Sequence, residues 1–201
     1  MRLTTAFALL VLTAGTLWAA ELQVVDDFER GVGGWYPVDG RPDRAQPPYC
    51  RMDAVGEAKQ GAAAARLRIA PCPGKWGHMQ TGVRPVEWIG ADCDRLALWI
   101  KGDGSGETLN LMLGNYERKP GLCYITPIKL DFSDWKRLIV PFADFKPAGL
   151  PANLADIVLI QLNVSKTQKP LDVLVDDIVA LPAERAGRPG RFCDLDVFTT
   201  P

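Results

Sequence analysis

Beyond its first twenty residues this chain never sustains the apolar stripe of an amphipathic helix. Apolar and polar residues alternate instead in short runs. The runs are LQVVDDF (Leu22–Phe28), PYCRMDAV (Pro48–Val55), AAARLRIA (Ala63–Ala70), WGHMQTGV (Trp76–Val83), DRLALWIK (Asp94–Lys101), ETLNLMLGN (Glu107–Asn115), CYITPIKL (Cys123–Leu130), WKRLIVPF (Trp135–Phe142), ADIVLIQLNV (Ala155–Val164) and LDVLVDDIVAL (Leu171–Leu181). Nineteen glycines and sixteen prolines punctuate them, a pattern that predicts an all-β, antiparallel β-sandwich. GDGSGE (Gly102–Glu107) lies between two of these runs. No helix is expected after it, so it lacks the setting of a phosphate-binding loop and reads as a hairpin turn.

Residues 1–20 read as an export signal: Arg2, an apolar run from Ala6 to Leu12, and small residues at Ala19 and Ala20, with cleavage after either alanine. The apolar run is too short to span a bilayer, and no later run reaches membrane length. A soluble mature protein, secreted or periplasmic, is the expectation, with no membrane span. Residues 21–181 form the sandwich, and residues 182–201 a tail that Cys193 either tethers or leaves trailing. Export would permit two disulfides and one free thiol among Cys50, Cys72, Cys93, Cys123 and Cys193, with the pairing open. There is no CxxC and no zinc-ligand spacing. A formal net charge of −1, with acids and bases interspersed, leaves no footprint for nucleic acid.

Alternate residues of a strand share a face, so each run sorts into two rows. Val158, Ile160, Leu162 and Val164 form one row, against Leu159, Gln161 and Asn163. Leu109, Leu111 and Leu113 oppose Asn110, Met112 and Tyr116; Trp76, His78 and Gln80 share a face, as do Tyr124, Thr126 and Ile128. If the polar rows fall on one sheet, amides and aromatic rings meet on a single surface. Amides give two-way hydrogen bonds to sugar hydroxyls, and rings cover the apolar face of a pyranose. The candidate ligand-binding set is therefore Trp76, His78, Gln80, Asn110, Met112, Tyr116, Tyr124, Gln161 and Asn163, with Trp88 at the rim. Trp35 and Trp99 are expected to pack rather than bind.

Four segments occur in a familiar order: DDFERGVGGW, DRLALWIKGDGSGETLNLML, DFSDWKRLIVPFADF and LDVLVDDIVAL. Together they resemble the galactose-binding-like jelly rolls used as carbohydrate-binding modules; a related sandwich occurs in the complex I intermediate-associated family. The resemblance covers about residues 21–181. It implies a polysaccharide or oligosaccharide partner held on a concave sheet. It also implies that the first and last strands lie together at one edge, often joined by a structural calcium ion. Glu29, Asp177 and backbone oxygens near Gly61 would hold that ion, with Asp26, Asp27 and Asp176 as alternatives. Alanines follow Gly61 where many such modules carry polar side chains, so the loop offers backbone ligands alone.

Catalysis finds little support. His78 is the single histidine, no GxSxG surrounds a serine, and the acids cluster at strand edges rather than beside the amides. A non-catalytic glycan-binding module is thus the leading reading. The alternatives are an envelope protein-interaction or assembly module on the same fold, and a polysaccharide lyase or hydrolase. The acids of DDFERGVGGW read as an edge clasp: Phe28 plugs the core, and Glu29 meets the last strand through a cation or water.

Overall fold

The computed structural model describes residues 22–39, 48–72, 74–82, 93–115, 122–148 and 157–183. Within them lie twelve strands and a single 3₁₀ turn (Phe142–Asp144). The strands are β1 (Gln23–Asp26), β2 (Trp35–Asp39), β3 (Cys50–Val55), β4 (Ala64–Ile69), β5 (Trp76–Gly82), β6 (Cys93–Lys101), β7 (Thr108–Asn115), β8 (Leu122–Lys129), β9 (Trp135–Pro141), β10 (Lys146–Pro147), β11 (Leu159–Ser165) and β12 (Leu171–Pro182). No helix among the described residues is long and apolar enough to cross a membrane.

Two antiparallel sheets face each other. The first runs β3-β4-β12-β6-β9, and β1 extends it beside β4 along the second half of β12. The second runs β10-β8-β7-β11-β5-β2. Alternation dictates the core between them. Leu67, Ile69, Leu96, Leu98, Ile100, Val173 and Val175 point inward from the first sheet; Leu109, Leu111, Leu113, Ile160, Leu162 and Val164 meet them from the second. The apolar rows expected of β7 and β11 are therefore the inner rows.

Three expectations need correcting. GDGSGE is not a hairpin: it carries the chain from β6 in one sheet to β7 in the other. Its amides are taken by the segment before β9, with Gly104 N–H donating to Phe132 O (2.9 Å) and Gly106 N–H to Leu130 O (2.9 Å). A side chain at Gly102 would sit 2.2 Å from Phe132 O, which fixes glycine there. Second, the first and last strands do pair, Gln23 opposite Ala180, yet β12 lies inside its sheet with β6 on its other flank. Third, Cys50, Cys72 and Cys123 are free, buried thiols, so the two expected disulfides cannot both form. Cys193 lies outside the described residues.

Candidate functional site

Register assembles the outer face of the second sheet. Gln161 on β11 stands between Met112 on β7 and Gln80 on β5, and Gln80 stands opposite Tyr36 on β2. One step along, Asn163 lies between Asn110 and His78, and His78 faces Val38. Ser165 meets Trp76 at the strand ends. Amides, an imidazole and two rings therefore share one surface by the period-two rule alone.

Hydrogen bonds tie these side chains into a relay. Gln80 Oε1 accepts from Gln161 Nε2 (2.9 Å) and meets His78 Nε2 at 2.9 Å. A carbonyl oxygen can only accept, so His78 carries its hydrogen on Nε2. Gln80 Nε2 donates to the Tyr36 hydroxyl at 2.5 Å, which leaves that hydroxyl's own hydrogen free to donate elsewhere. Asn110 Nδ2 reaches Asn163 Oδ1 at 3.4 Å, a weak contact between half-buried groups. His78 is buried, and burial pushes its pKa below the usual histidine value against the opposing pull of Gln80 and Asp39. The ring is thus neutral at pH 7, and Trp76 stacks on it with centroids 5.3 Å apart and planes 15° off parallel.

Exposure divides the set. Tyr36 (49%) and Trp76 (42%) stand open. Gln161, expected in the ligand-binding set, is fully buried and orients Gln80 from the neighbouring strand. Tyr124 was expected in the polar row, but it stands opposite Leu113 and packs against the core, as do its row-mates. Met112 and Asn110 do lie on the outer face beside Gln161 and Asn163. Tyr116 and Trp88 lie outside the described residues. Trp35 is buried in the core as expected, but Trp99 faces outward from the first sheet, with Lys59 Nζ 4.7 Å from its ring.

The outer face of the first sheet is chemically different. Arg66 grips Asp172 through two bonds (2.7 and 2.5 Å), Arg68 pairs with Asp53, and Lys101 pairs with Glu57 at 2.5 Å. The guanidinium beside each of Asp53 and Asp172 holds its carboxyl below the usual carboxylate range. A groove of about 520 Å³ opens near Tyr49, Arg51, Arg68, Asp103 and Asp172. Its charges are already engaged, Arg51 and Arg68 by Asp53, Asp172 by Arg66, and Asp103 by the amides of Ser105 and Asp172, so it is not the better site.

The acid-rich stretch at the start resolves into structural bonds. Asp26 Oδ1 accepts from Phe28 N–H (2.9 Å) and Oδ2 from Trp35 Nε1 (2.7 Å). That grip holds Phe28 in a left-handed turn (φ 59°) with its ring buried against Trp35. Glu29 Oε1 accepts from the amides of Ala62 (2.8 Å) and Ala63 (3.0 Å). Asp176 Oδ2 accepts from Lys59 and Gln60, both at 2.8 Å. Alternation after inward Val175 turns Asp176 outward under the loop, and a bulge at Asp177 (φ 48°) returns Ile178 to the core. Asp176, not Asp177, is therefore the buried acid at the loop. Burial and the neighbouring Asp176 raise the Asp177 carboxyl. Among the described residues no three acidic, histidine or cysteine side chains gather closely enough to hold a metal ion unaided.

The family described as carbohydrate binding domain (family 11) matches residues 14–148. The chain belongs to that family. As a family 11 module it carries a binding fold, and solved structures share its architecture. One is the family 11 carbohydrate-binding module of Clostridium thermocellum in complex with a β-1,3-1,4-mixed-linked tetrasaccharide. It is 18% identical, with TM-score 0.66, covering 81% of this chain and 96% of that one. Another is the family 30 module of the cellulosomal cellulase Cel9D-Cel44B of the same organism. It is 14% identical, with TM-score 0.57, covering 76% and 93%. A mannan endo-1,4-β-mannosidase of Bifidobacterium adolescentis is 31% identical over 125 residues, which is 62% of this chain but only 12% of that protein's length. The expected β-sandwich carbohydrate-binding class therefore stands.

One residue escaped the sequence reading. Tyr36 sits in WYPVD, where Trp35 points in and Tyr36 out. The alternation was there to see, and Pro37 suits the edge position that β2 occupies.

Proposed function

We propose that this module binds an uncharged glycan on the outer face of its second sheet. One observation carries the reading. That face gathers amides and a neutral imidazole between two exposed rings, Tyr36 on the edge strand and Trp76 at the start of β5, while the first sheet's face bears paired charges. Neutral sugars need hydrogen-bond partners and stacking surfaces, not charge. The mixed-linked tetrasaccharide bound by the Clostridium module supplies the natural first probe. Isothermal titration with mixed-linked β-1,3-1,4-glucan and with mannan should give saturable binding that changes little with salt. Equal binding after combined substitution of Gln80, Asn110 and Asn163 by alanine would defeat the assignment of this face.

At the opposite sheet we propose a calcium-binding role for the edge where β1 meets β12. Asp176 Oδ1 is buried without a partner, although its other oxygen serves two amides. A fully buried carboxylate with a spare oxygen fits a hard cation, and backbone oxygens would complete the shell. Glu29 would join through the oxygen its amides leave over. An ion there would fasten the first strand to the last and take no part in glycan contact. A melting temperature unchanged between calcium and chelator would remove this role.

The export-signal pattern of residues 1–20 supports a secreted or periplasmic location. Recovery of the processed protein from medium or periplasm, with N-terminal sequencing, tests it.

A further inference from the structure

We propose that the glycan lies along β5, its two ends seated on Tyr36 and Trp76, rather than crossing the sheet from strand to strand. This rests on the glycan reading above and adds a direction, a minimum length and two anchoring residues.

Five large apolar side chains stand exposed among the described residues, and only Tyr36 and Trp76 of these lie on the outer face of the second sheet. They do not lie side by side across the strands. Tyr36 is opposite Gln80, and Trp76 is four residues further along β5. At about 3.3 Å per residue the two anchors are roughly 13 Å apart along the strand. That span exceeds a single pyranose and asks for a linear oligomer.

Both rings are held in place before any ligand arrives. The Tyr36 hydroxyl is pinned by Gln80, and Trp76 is backed by the His78 ring. Gln80 and His78 are bonded to each other, and Gln161 holds Gln80 from the adjacent strand. Along β5 the Trp76 ring, the imidazole and the amide follow one another, and the Tyr36 ring lies beside the amide on β2. Fixing both platforms in advance reduces the ordering cost of binding. Across the sheet the same row offers nothing comparable. Beyond Gln80 come Gln161, Met112 and Ile125, opposite which stands Lys146, and none of these supplies a second exposed ring. The occupant that fits is an unbranched chain of uncharged pyranoses presenting an apolar ring face near each end.

The test is titration calorimetry with mixed-linked β-1,3-1,4-gluco-oligosaccharides of two to five sugars. The proteins are the wild type, Tyr36→Ala, Trp76→Ala, and the cross-sheet pair Ile125→Ala with Lys146→Ala. Affinity should climb with length until both anchors are reached. Each aromatic variant should then lose about tenfold or more for the tetrasaccharide and lose the gain with length. The cross-sheet variant should stay within about twofold. Tyr36→Phe keeps the ring and should bind far better than Tyr36→Ala. On the folded wild type, NMR shifts of the Trp76 indole N–H and the Tyr36 ring on adding tetrasaccharide check the same point without substitution. Full tetrasaccharide affinity in both alanine variants, or loss in the cross-sheet variant alone, overturns the along-strand course and leaves the glycan face standing. A wild type that binds neither these oligomers nor any polysaccharide removes both.

Discussion

Gly61→Ala is the sharpest test of how the module's edge is closed. Gly61 has φ 62°, where a Cβ costs about 1–2 kcal/mol. That Cβ would also lie 2.1 Å from Glu29 Oε1, so the carboxylate must leave. Its departure breaks the bonds from Ala62 and Ala63. Charge-assisted bonds contribute about 1.5–3 kcal/mol when sheltered, and these are exposed, so about 1 kcal/mol each is the fair figure. The total is about 3 kcal/mol, or a fall of about 6–12 °C in Tm for a domain of this size. Glu29→Ala alone should cost about 2 kcal/mol. The double variant then decides the matter. Because the clasp can be lost only once, Gly61→Ala combined with Glu29→Ala should cost about 3 kcal/mol, not the additive value of about 5. Urea unfolding of the four proteins measures this. Additive costs, or a Gly61→Ala penalty below about 0.5 kcal/mol, would refute the argument.

Asp26→Ala leaves the Trp35 indole N–H without its acceptor and frees the Phe28 turn, and should cost about 2 kcal/mol in urea unfolding, with Asp26→Asn between it and wild type. His78 contributes a pH dependence with a definite sign. Its folded pKa lies below the ordinary value of 6.5, so as pH falls through 6.5 the unfolded chain takes up the proton first and stability drops. The slope from this one group cannot exceed about 1.4 kcal/mol per pH unit; His78→Gln should flatten the fall in urea midpoint between pH 7 and pH 5, and an unchanged slope would contradict it. Burial, with Cys72 and Asp39 nearby, pushes the Cys50 thiol up to about 12, so native protein at pH 8 should resist iodoacetamide at Cys50 while unfolded protein reacts, as peptide mass spectrometry would record.

Much of this was legible in the chain, because period two says which side chains travel together. β7 and β11 announce themselves: leucines and isoleucine on one row, amides on the other. β8 does not. Its rows are Tyr124, Thr126 and Ile128 against Cys123, Ile125 and Pro127, and neither is decisively greasier, so alternation could pair Tyr124 with its row-mates but not say which way they face. Gln161 shows a different limit. Its outward direction follows from its own strand, whereas its burial comes from Gln80 and Met112 on strands distant in sequence. The acids of DDFERGVGGW were visible as a cluster, but their partners are backbone amides and one indole N–H, and amides carry no sequence mark. The GDGSGE turn misled for a related reason: local chemistry specifies a reversal, and only packing decides whether the next strand joins the same layer or the other.

The placement of β12 has a consequence for how the molecule is made. It is the longest strand among the described residues, flanked by β4 and β1 on one side and β6 on the other, so the first sheet has no spine until residues 171–182 are in place. Contacts of such long reach in sequence make assembly slow. Until β12 enters between them, β3-β4 on one flank and β6-β9 on the other remain two separate strand pairs of the first sheet.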